Sequence, residues 1–311
     1  MDPKIAAEKI RSMEVRGASR IAKFAAEVMK DYALKVKENF DEEMLKASKI
    51  LLNTRPTAVS LFNAVNYIMK YHGETVEEKR ASVVKRAEEF ISWVEIAQKR
   101  IAEIGEKRIK DNSTILTHCN SSTAIAVIKK AHEVGKRIEV LATESRPRWQ
   151  GHITARQLRE AGIDVTLIVD SAVRFFINDV DCVIVGADTI TANGALVNKI
   201  GTSQVALCAK EARVPFMVAA ETYKFSPKTL FGDLVLIEER SAEEVAPKDL
   251  IDLGVRVRNP AFDVTPRSYI DVIITEIGAI PPEMAYIIIK ERLGYTEINE
   301  EEFKIDFEHY E

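Results

Sequence analysis

The sequence predicts an α/β protein in which a helical N-terminal domain, residues 1–108, precedes a Rossmann-like, doubly wound and mainly parallel sheet domain, residues 109–311. In the first part, apolar residues recur three and four positions apart, as on amphipathic helices. In the second part, short β-branched runs alternate with helical stretches of roughly ten to fifteen residues, which is the pattern of βαβ units. These runs are almost wholly apolar, which indicates strands buried on both faces of a parallel sheet.

Three segments account for most of the helical part. Residues 17–37, GASRIAKFAAEVMKDYALKVK, present an apolar face made of Ile21, Phe24, Ala25, Val28, Met29 and Tyr32. A second helix is expected after Pro56, which suits a first helical turn, and before Gly73, which suits a C-terminal cap. Residues 75–107 predict one long helix whose charged side chains form a solvated face.

The strands of the sheet are predicted from apolar runs joined by helical stretches. Right-handed crossovers between such runs build a doubly wound sheet. The runs are TILTH (114–118), RIEVLAT (137–143), VTLIVD (165–170), CVIVGAD (182–188) and PFMVAA (215–220), with DLVLIEE (233–239) and YIDVIITEIGAI (269–280) as further candidates.

Composition narrows the functional classes. Forty-four Lys and Arg against forty-eight Asp and Glu give a formal charge of −4, without the basic excess of a nucleic-acid-binding protein. No apolar run approaches the roughly 18 residues of a membrane span, and the N-terminus lacks a signal peptide's apolar centre, so we expect a cytoplasmic protein without a membrane partner. Three distant cysteines favour reduced thiols over disulfides or a zinc site. Abundant Lys and Glu favour a thermophilic source.

Polar residues follow several of the predicted strands, where open parallel sheets bind their ligands. Cys119 follows TILTH, and the next four residues, Asn120 to Thr123, are helix-capping types that could hold a phosphate or serve as plain N-caps. Asp188 ends CVIVGAD, where it could also simply cap a turn. Further polar residues at this edge are Arg146, Lys224, and Asn198, Lys199 and Gly201, the last three expected at a helix opening after the Asn193-Gly194 turn.

The cysteines divide into two kinds. Cys182 lies within a strand and Cys208 within a helix, so both are expected to be buried. Cys119 is expected at a helix N-terminus beside cationic side chains, where the pKa of a thiol is lowered and acid/base chemistry becomes accessible. His118 points to the opposite face of its strand and is expected to be packed. The chain has no glycine-rich nucleotide motif and no cluster at metal-ligand spacing, so neither a cofactor nor a metal is expected.

These motifs together resemble a known superfamily along nearly the whole chain. RGASRIAKFAAEVM, TRPTAVSLFNAV, the Cys119 turn, ATESRPRWQG, GADTITANGALVNKIGT and AAETYKF occur in the order found in the sugar-phosphate isomerases and initiation factor 2B regulatory subunits. The block from Gly186 to Thr202 is the most specific part. The resemblance implies a helical N-terminal domain on a Rossmann-like C-terminal domain.

Within this superfamily the chain most resembles the archaeal ribose-1,5-bisphosphate isomerases. The isomerase branches use a cysteine and an aspartate, which the resemblance places at Cys119 and Asp188, whereas the regulatory subunits generally lack the pair. The turn NSSTA is closer to the bisphosphate isomerases than to the methylthioribose-1-phosphate isomerases, whose turn is richer in glycine. The implied substrate-binding residues are Arg16, Gly17, Arg55, Ser121, Arg146, Asn198, Lys199 and Lys224.

The resemblance implies conversion of ribose 1,5-bisphosphate, derived from AMP in nucleotide salvage, into ribulose 1,5-bisphosphate through an enolate. Cys119 would handle the carbon-bound proton and Asp188 the oxygens, or the reverse. A homo-oligomer, either a dimer or a hexamer built from dimers, is also implied, and the apolar segment 278–294 is a candidate for its interface. Two alternatives stay open, namely a methylthioribose-1-phosphate isomerase and a non-catalytic regulatory subunit.

Overall fold

A computed structural model of the chain describes residues 1–12, 14–15, 17–55, 58–227 and 237–293. The N-terminal part is helical, as predicted. Its helices bury one common core, in which Ile21, Met29 and Phe90 are almost fully inaccessible. They are α1 (Pro3–Arg11), α2 (Ala18–Ala33), α3 (Phe40–Leu52), α4 (Val59–Met69) and α5 (Val76–Gly105).

The predicted helix boundaries are confirmed for α5 and partly for α2 and α4. The long helix begins at a capping box, in which Thr75 accepts from the backbone N–H of Glu78 and Glu78 accepts from that of Thr75. Helix α2 covers the core of the predicted segment 17–37. Helix α4 ends at Met69, so the cap predicted at Gly73 is wrong, and Pro56 lies outside the described residues.

The C-terminal part contains the predicted, mainly parallel sheet. Within the described ranges it has seven strands in the order β11-β10-β7-β4-β1-β2-β3, and β11 alone among them runs antiparallel to its neighbour. The strands are β1 (Ser113–Thr117), β2 (Ile138–Thr143), β3 (Asp164–Ile168), β4 (Cys182–Val185), β7 (Phe216–Ala219), β10 (Val272–Thr275) and β11 (Gly278–Ile280). All five of the predicted apolar runs form strands.

Alternate strand residues supply two separate cores, one on each face of the sheet. Leu116, Val183 and Val218 face one core, whereas their neighbours Ile115 and Ile184 face the other. Helix α9 (Thr202–Ala212) packs on the first face, and α5, α6 (Ser122–Glu133) and α7 (Gln150–Arg159) pack on the second. Helices therefore cover both faces, as a doubly wound sheet requires.

A smaller sheet of four strands, in the order β8-β5-β6-β9, lies beside the main one in the described part of the chain. Its strands are β5 (Thr189–Thr191), β6 (Leu196–Lys199), β8 (Phe225–Ser226) and β9 (Phe262–Thr265). The predicted Asn193-Gly194 turn joins β5 to β6, with Gly194 at φ 83°. Asn198 and Lys199 end β6, so their predicted place at a helix opening is wrong, and Gly201 is the N-cap of α9.

The remaining elements are short. They are α8 (Val173–Phe176), α10 (Lys248–Asp252) and α11 (Ala285–Arg292). Of the predicted strand 233–239, residues 233–236 lie outside the described residues, and Glu239 forms an isolated bridge with Pro260. No helix in the described ranges is long and apolar enough to cross a membrane. The division at residue 108 stays a prediction.

Candidate active site

Cys119 and Asp188 lie at the point where the strand order of the main sheet reverses. The neighbouring parallel strands β1 and β4 pair at Leu116 and Val183, and the chain continues from β1 to β2 on the opposite side. Cys119 lies two residues beyond β1, and Asp188 lies three residues beyond β4. Such switch points open a crevice at the carboxyl ends of the strands, where doubly wound proteins bind ligands.

The turn that carries Cys119 is held by its backbone. Cys119 has φ 69°, a left-handed conformation that is uncommon for a residue with a side chain. Its N–H donates to Ser145 Oγ at 2.8 Å, and its carbonyl accepts from Thr154 Oγ1 at 2.7 Å. Because both partners follow β2, the neighbouring crossover fixes the direction of the half-buried thiol.

The lowered pKa predicted for Cys119 is wrong. Burial raises the pKa of the thiol to about 11; Lys199 and a backbone hydrogen bond from Asn120 oppose this rise, whereas Asp188 and Asp170 add to it. Removal of water from around a thiolate therefore outweighs the nearby cation and the helix N-terminus. The thiol carries its proton at neutral pH.

Ser121 lies where the turn that carries Cys119 approaches the turn that carries Asp188. Its hydroxyl accepts from Ala124 N–H at 3.3 Å, so Ser121 is the N-cap of α6. Helix capping was one of the two roles predicted for the residues from Asn120 to Thr123. A Cβ placed on Gly186 would lie 2.1 Å from Ser121 Oγ. Glycine at position 186 thus lets the end of β4 approach the N-terminus of α6 closely.

Asp188 is half-buried and faces several charged side chains. Burial raises the pKa of its carboxyl group; Lys224, Lys199 and Arg55 oppose the rise, in that order of strength, and Glu238 adds to it. The structure therefore brings Asp188 together with three of the predicted substrate-binding cations. Its charge also raises the pKa of Cys119, which places the predicted pair within electrostatic reach of each other.

Lys199 and Asn198 reach this edge from β6. Lys199 is buried, and its ammonium lies 5.2 Å from the centre of the Phe262 ring. Asn198 Nδ2 donates to Thr202 Oγ1 at 3.0 Å. The turn after Lys199 is fixed by Asp263, whose carboxylate accepts from the N–H groups of Gly201 at 2.7 Å and Ser203 at 3.1 Å.

Lys224 is the most enclosed cation of the site. Only 4% of its surface is exposed, and its ammonium lies 2.7 Å from Glu221 Oε2. A residue of the helical part fixes the turn around Lys224: Asn63 Nδ2 donates to the carbonyl oxygens of Tyr223 and Phe225, each at 2.8 Å.

Arg146 lies next to Ser145, which contacts the Cys119 turn. Its backbone N–H donates to Asp170 Oδ2 at 2.7 Å, and that of Ser145 donates to Asp170 Oδ1 at 2.8 Å. The Arg146 guanidinium stacks over Trp149 at 4.7 Å from the ring centre. Asp170, two residues beyond β3, thus holds the backbone of the Ser145–Arg146 turn, which contacts Cys119 through Ser145.

The predicted residues of the helical part have different outcomes. Arg55 forms an ion pair with Glu238 at 3.3 Å and influences the pKa of Asp188, so the structure joins it to the site. Gly17 is the N-cap of α2 with φ 92°, two residues before Ser19, which donates to Glu221. Arg16 lies outside the described residues.

The residues predicted to be buried, and to have no part in the chemistry, are buried in the structure. Cys182 and Cys208 are buried in the core. His118 is buried as well, with Nδ1 2.6 Å from Thr143 Oγ1 and Nε2 2.9 Å from the carbonyl oxygen of Ile200. Among the described residues, no three His, Cys, Asp or Glu side chains are grouped as a metal site would need.

Three carboxylates of the site, Asp170, Glu221 and Glu238, were not predicted from the sequence. Asp170 and Glu221 each follow a strand of the main sheet, β3 and β7, so the rule that located Asp188 could have found them. Glu238 had no such signal, because its partner Arg55 lies 183 positions away in the sequence.

The chain resembles known proteins along most of its length. Residues 14–282 match the Initiation factor 2 subunit family. The chain belongs to this family. Within the Initiation factor 2 subunit family, a protein named ribose 1,5-bisphosphate isomerase from Archaeoglobus fulgidus is 75% identical over 307 residues, 98% of each chain. A methylthioribose-1-phosphate isomerase from Acetivibrio thermocellus is 42% identical over 298 residues, 89% of this chain and 87% of its own.

A solved structure of the same family shows the same fold. The Pyrococcus horikoshii OT3 translation initiation factor eIF-2B has a TM-score of 0.79 and 36% identity, covering 89% of this chain and 96% of its own. Isomerases and translation factors thus share one architecture in this family, so the fold does not choose between them. The choice rests on the identity to named relatives and on the residues of the site.

Proposed function

We propose that the chain is an aldose–ketose isomerase that converts ribose 1,5-bisphosphate into ribulose 1,5-bisphosphate. The 75% identity to the A. fulgidus ribose 1,5-bisphosphate isomerase over 98% of both chains carries this proposal. The site supports it, because a thiol and a carboxyl group lie beyond neighbouring strands at the switch point, within electrostatic reach of the buried Lys199 and Lys224. Groups with perturbed pKa values cluster at active sites, which favours a catalytic over a non-catalytic role.

The reaction moves protons at two kinds of atom. C1 of the substrate is locked as a glycosyl phosphate, so the ring must open as the C1–O4 bond breaks. One group donates a proton to O4 while another removes the proton from C2, which gives an enediol phosphate. The second group then returns a proton to C1, and the first removes the O2 proton, so that a ketone forms at C2 and both groups regain their starting states.

We assign the oxygen atoms to Asp188 and the carbon atoms to Cys119. Burial raises the pKa of Asp188, which favours the protonated form that O4 requires. Cys119 must lose its proton before it can accept one from C2, and a thiol with a pKa of about 11 does this rarely at neutral pH. Lys199, which lowers the pKa of Cys119, would stabilise both the thiolate and the enolate.

Deuterium exchange separates this assignment from the reverse one. Starting from ribulose 1,5-bisphosphate in D₂O, the carbon base alone suffices to exchange a C1 proton, which ¹H NMR detects. Asp188→Asn should keep this exchange but form the aldose about a hundredfold more slowly or worse, whereas Cys119→Ser should slow both to the same degree. Retained exchange in Cys119→Ser together with its loss in Asp188→Asn would reverse the two roles.

Turnover of the same variants measures their importance. Each substitution should lower kcat by about a hundredfold or more, within the range of acid/base groups. Cys182→Ala is the matched control, because it removes a buried thiol at the first residue of β4, the end of the strand away from Asp188, and should reduce stability without changing the chemistry. Wild-type kcat in either Cys119→Ser or Asp188→Asn would exclude that residue from catalysis.

The substrate is distinguished by its two phosphates. Lys199, Lys224 and Arg55 surround Asp188 and can hold one phosphate, while the N-terminus of α6 and Arg146 can hold the other. Methylthioribose 1-phosphate needs only one such cluster and an apolar pocket for its thiomethyl group. Trp149, the aromatic ring beside Arg146, is 42% exposed and stacks on that guanidinium, so it does not form an enclosed apolar pocket.

The relative rates on the two substrates test the assignment of ribose 1,5-bisphosphate directly. Two lost charge-assisted contacts at about 1.5–3 kcal/mol each lower kcat/KM by about 10²–10⁴-fold. The purified protein should therefore convert ribose 1,5-bisphosphate at least about a hundredfold more efficiently than methylthioribose 1-phosphate, with the ketose detected by NMR. Equal efficiency, or preference for the thioether, would overturn the bisphosphate assignment, and absence of both activities would favour the regulatory alternative.

The proposal extends to the cellular setting. The substrate would derive from AMP in nucleotide salvage, and no cofactor or nucleic-acid partner is needed for proton transfers of this kind. A sugar bisphosphate is highly charged and crosses membranes poorly, which supports action in the cytoplasm. Assembly as a homo-oligomer, a dimer or a hexamer of dimers, belongs to the same proposal; α11 exposes Tyr286 and Ile287 as a candidate contact.

A further inference from the structure

Glu221 is a buried carboxylate that the proposed reaction does not use. It is 1% exposed and lies two residues beyond β7. Oε1 accepts hydrogen bonds from Thr123 Oγ1 at 2.7 Å and Ser19 Oγ at 3.1 Å. Oε2 makes an ion pair with Lys224 Nζ at 2.7 Å, without hydrogen-bond geometry toward any described atom. One side chain thus touches the first turns of α2 and α6 and a cation of the site.

The surroundings keep Glu221 charged. Burial by itself raises the pKa of its carboxyl group, but the charge of the closely paired Lys224 ammonium, together with the hydrogen bond from Thr123, outweighs it, so that the pKa is lowered. An ionised carboxylate removed from water is stable in proteins when it is paired and hydrogen-bonded, which is the arrangement here. Its two oxygen atoms have different partners: Oε1 accepts from two hydroxyl groups, and Oε2 faces the Lys224 ammonium.

Lys224 needs such an anchor to act as a fixed charge. A lysine side chain is long and flexible, and it loses about 2 kcal/mol of rotamer entropy when it is held in one place. Asn63 fixes the backbone on both sides of Lys224, and Glu221 fixes the ammonium. Of the cations that act on Asp188, Lys224 has the strongest influence on its pKa.

We propose that Glu221 is a positioning residue that holds the Lys224 ammonium against Asp188 and the bound phosphate, and that sets its place through Ser19 and Thr123. This assignment rests on the proposed sugar-bisphosphate isomerase function. Ser19 lies in the first turn of α2, two residues after Gly17. It binds the same carboxylate that pairs with Lys224 in the sheet part. The helical part thereby controls the geometry of the phosphate-binding cluster.

A purely structural Glu221 would behave differently. In that case its carboxylate would only join α2 to α6, and its loss would lower stability without acting through Lys224. The two roles are separated by whether substitutions at 221 and 224 have independent effects on KM.

The experiment is a double-mutant cycle in Glu221→Gln, Lys224→Met and the double variant. Glutamine keeps an oxygen for Ser19 and Thr123 but removes the charge. Glu221→Gln should raise KM for ribose 1,5-bisphosphate at least tenfold, Lys224→Met at least as much, and the double variant should match Lys224→Met within about twofold. Because the double variant contains no unpaired buried ammonium, it should also unfold at a higher temperature than Glu221→Gln.

Glu276→Gln is the matched control. Glu276 is 9% exposed, accepts from Trp93 Nε1 at 2.8 Å and from the Thr222 hydroxyl, and makes no ion pair with a described side chain. Its substitution should lower the melting temperature while leaving KM within about twofold of the wild-type value. An equal rise of KM in Glu276→Gln would show that any loosening of this buried region has the same effect, and would overturn the assignment.

Other outcomes are equally decisive. A KM within twofold of wild type in Glu221→Gln, or effects at 221 and 224 that multiply in the double variant, would refute positioning through Lys224. If the wild-type protein shows no turnover, the proposed reaction fails, and the cycle is then judged on the calorimetric Kd for ribose 1,5-bisphosphate. Failure of the wild-type protein to bind that ligand would defeat both proposals.

Discussion

Gly186→Ala tests the close approach that brings the two reactive turns together. The added methyl carbon would lie 2.1 Å from Oγ and 2.4 Å from Cβ of Ser121, whereas carbon atoms in contact prefer about 3.5–4 Å. A shift of either Ser121 or residue 186 to relieve this clash would disturb the structure around it. Ser121 is the N-cap of α6, and Gly186 lies two residues before Asp188.

The size of the effect follows from two contributions. Displacing the Ser121 cap costs about 0.5–2 kcal/mol, and overpacking a buried contact costs about 1–3 kcal/mol. The free energy of unfolding should therefore fall by about 1.5–5 kcal/mol. A shift of Asp188 by about 1 Å can lower kcat by up to about a hundredfold, since proton transfer requires hydrogen-bond contact with the substrate.

Urea denaturation and turnover measure both effects, and Ser121→Gly supplies the rescue. This second substitution removes both clashing atoms, and glycine at an N-cap costs only a few tenths of a kcal/mol. The double variant should regain the stability of Ser121→Gly within about 1 kcal/mol and should also regain its kcat. If Gly186→Ala is as stable as the wild type, or if Ser121→Gly gives no rescue, the close approach is refuted.

Further predictions concern ionisation and assembly. Burial raises the pKa of Asp263 to about 6, although backbone N–H groups of Ser203 and Gly201 oppose the rise, so its stabilising contribution is present below pH 4 and lost as pH rises through 6. The stability of Asp263→Asn relative to wild type should therefore increase by about 1.4 kcal/mol from pH 5 to pH 8, measured by urea denaturation; a pH-independent difference would contradict this. Iodoacetamide should alkylate Cys119 slowly at pH 7 and faster toward its pKa of about 11, and rapid alkylation at pH 7 that Cys119→Ser abolishes would show that the thiol is not protonated. Light scattering at micromolar concentration should show a dimer or larger assembly, and Ile287→Asp should weaken it; a wild-type monomer would contradict the proposed assembly.

Local patterns in the sequence determined the fold class and most of the elements. A three-and-four spacing sufficed to predict α5, because hydrogen bonds within a helix join residues close in the chain. The apolar runs identified the main strands, and the rule that ligands bind at the carboxyl ends of parallel strands identified Cys119 and Asp188. Each of these inferences uses neighbours in the sequence or a general property of parallel sheets.

Only the tertiary structure decided the electrostatics of the site. The helix N-terminus favours a lowered pKa for Cys119, but burial by distant segments raises it, and the sequence does not state how much water those segments exclude. The same holds for Glu221, which lay within a recognised motif without an evident role. Its partners Thr123 and Ser19 are 98 and 202 positions away, so its significance depends on contacts that exist only after the helical part has packed against the sheet.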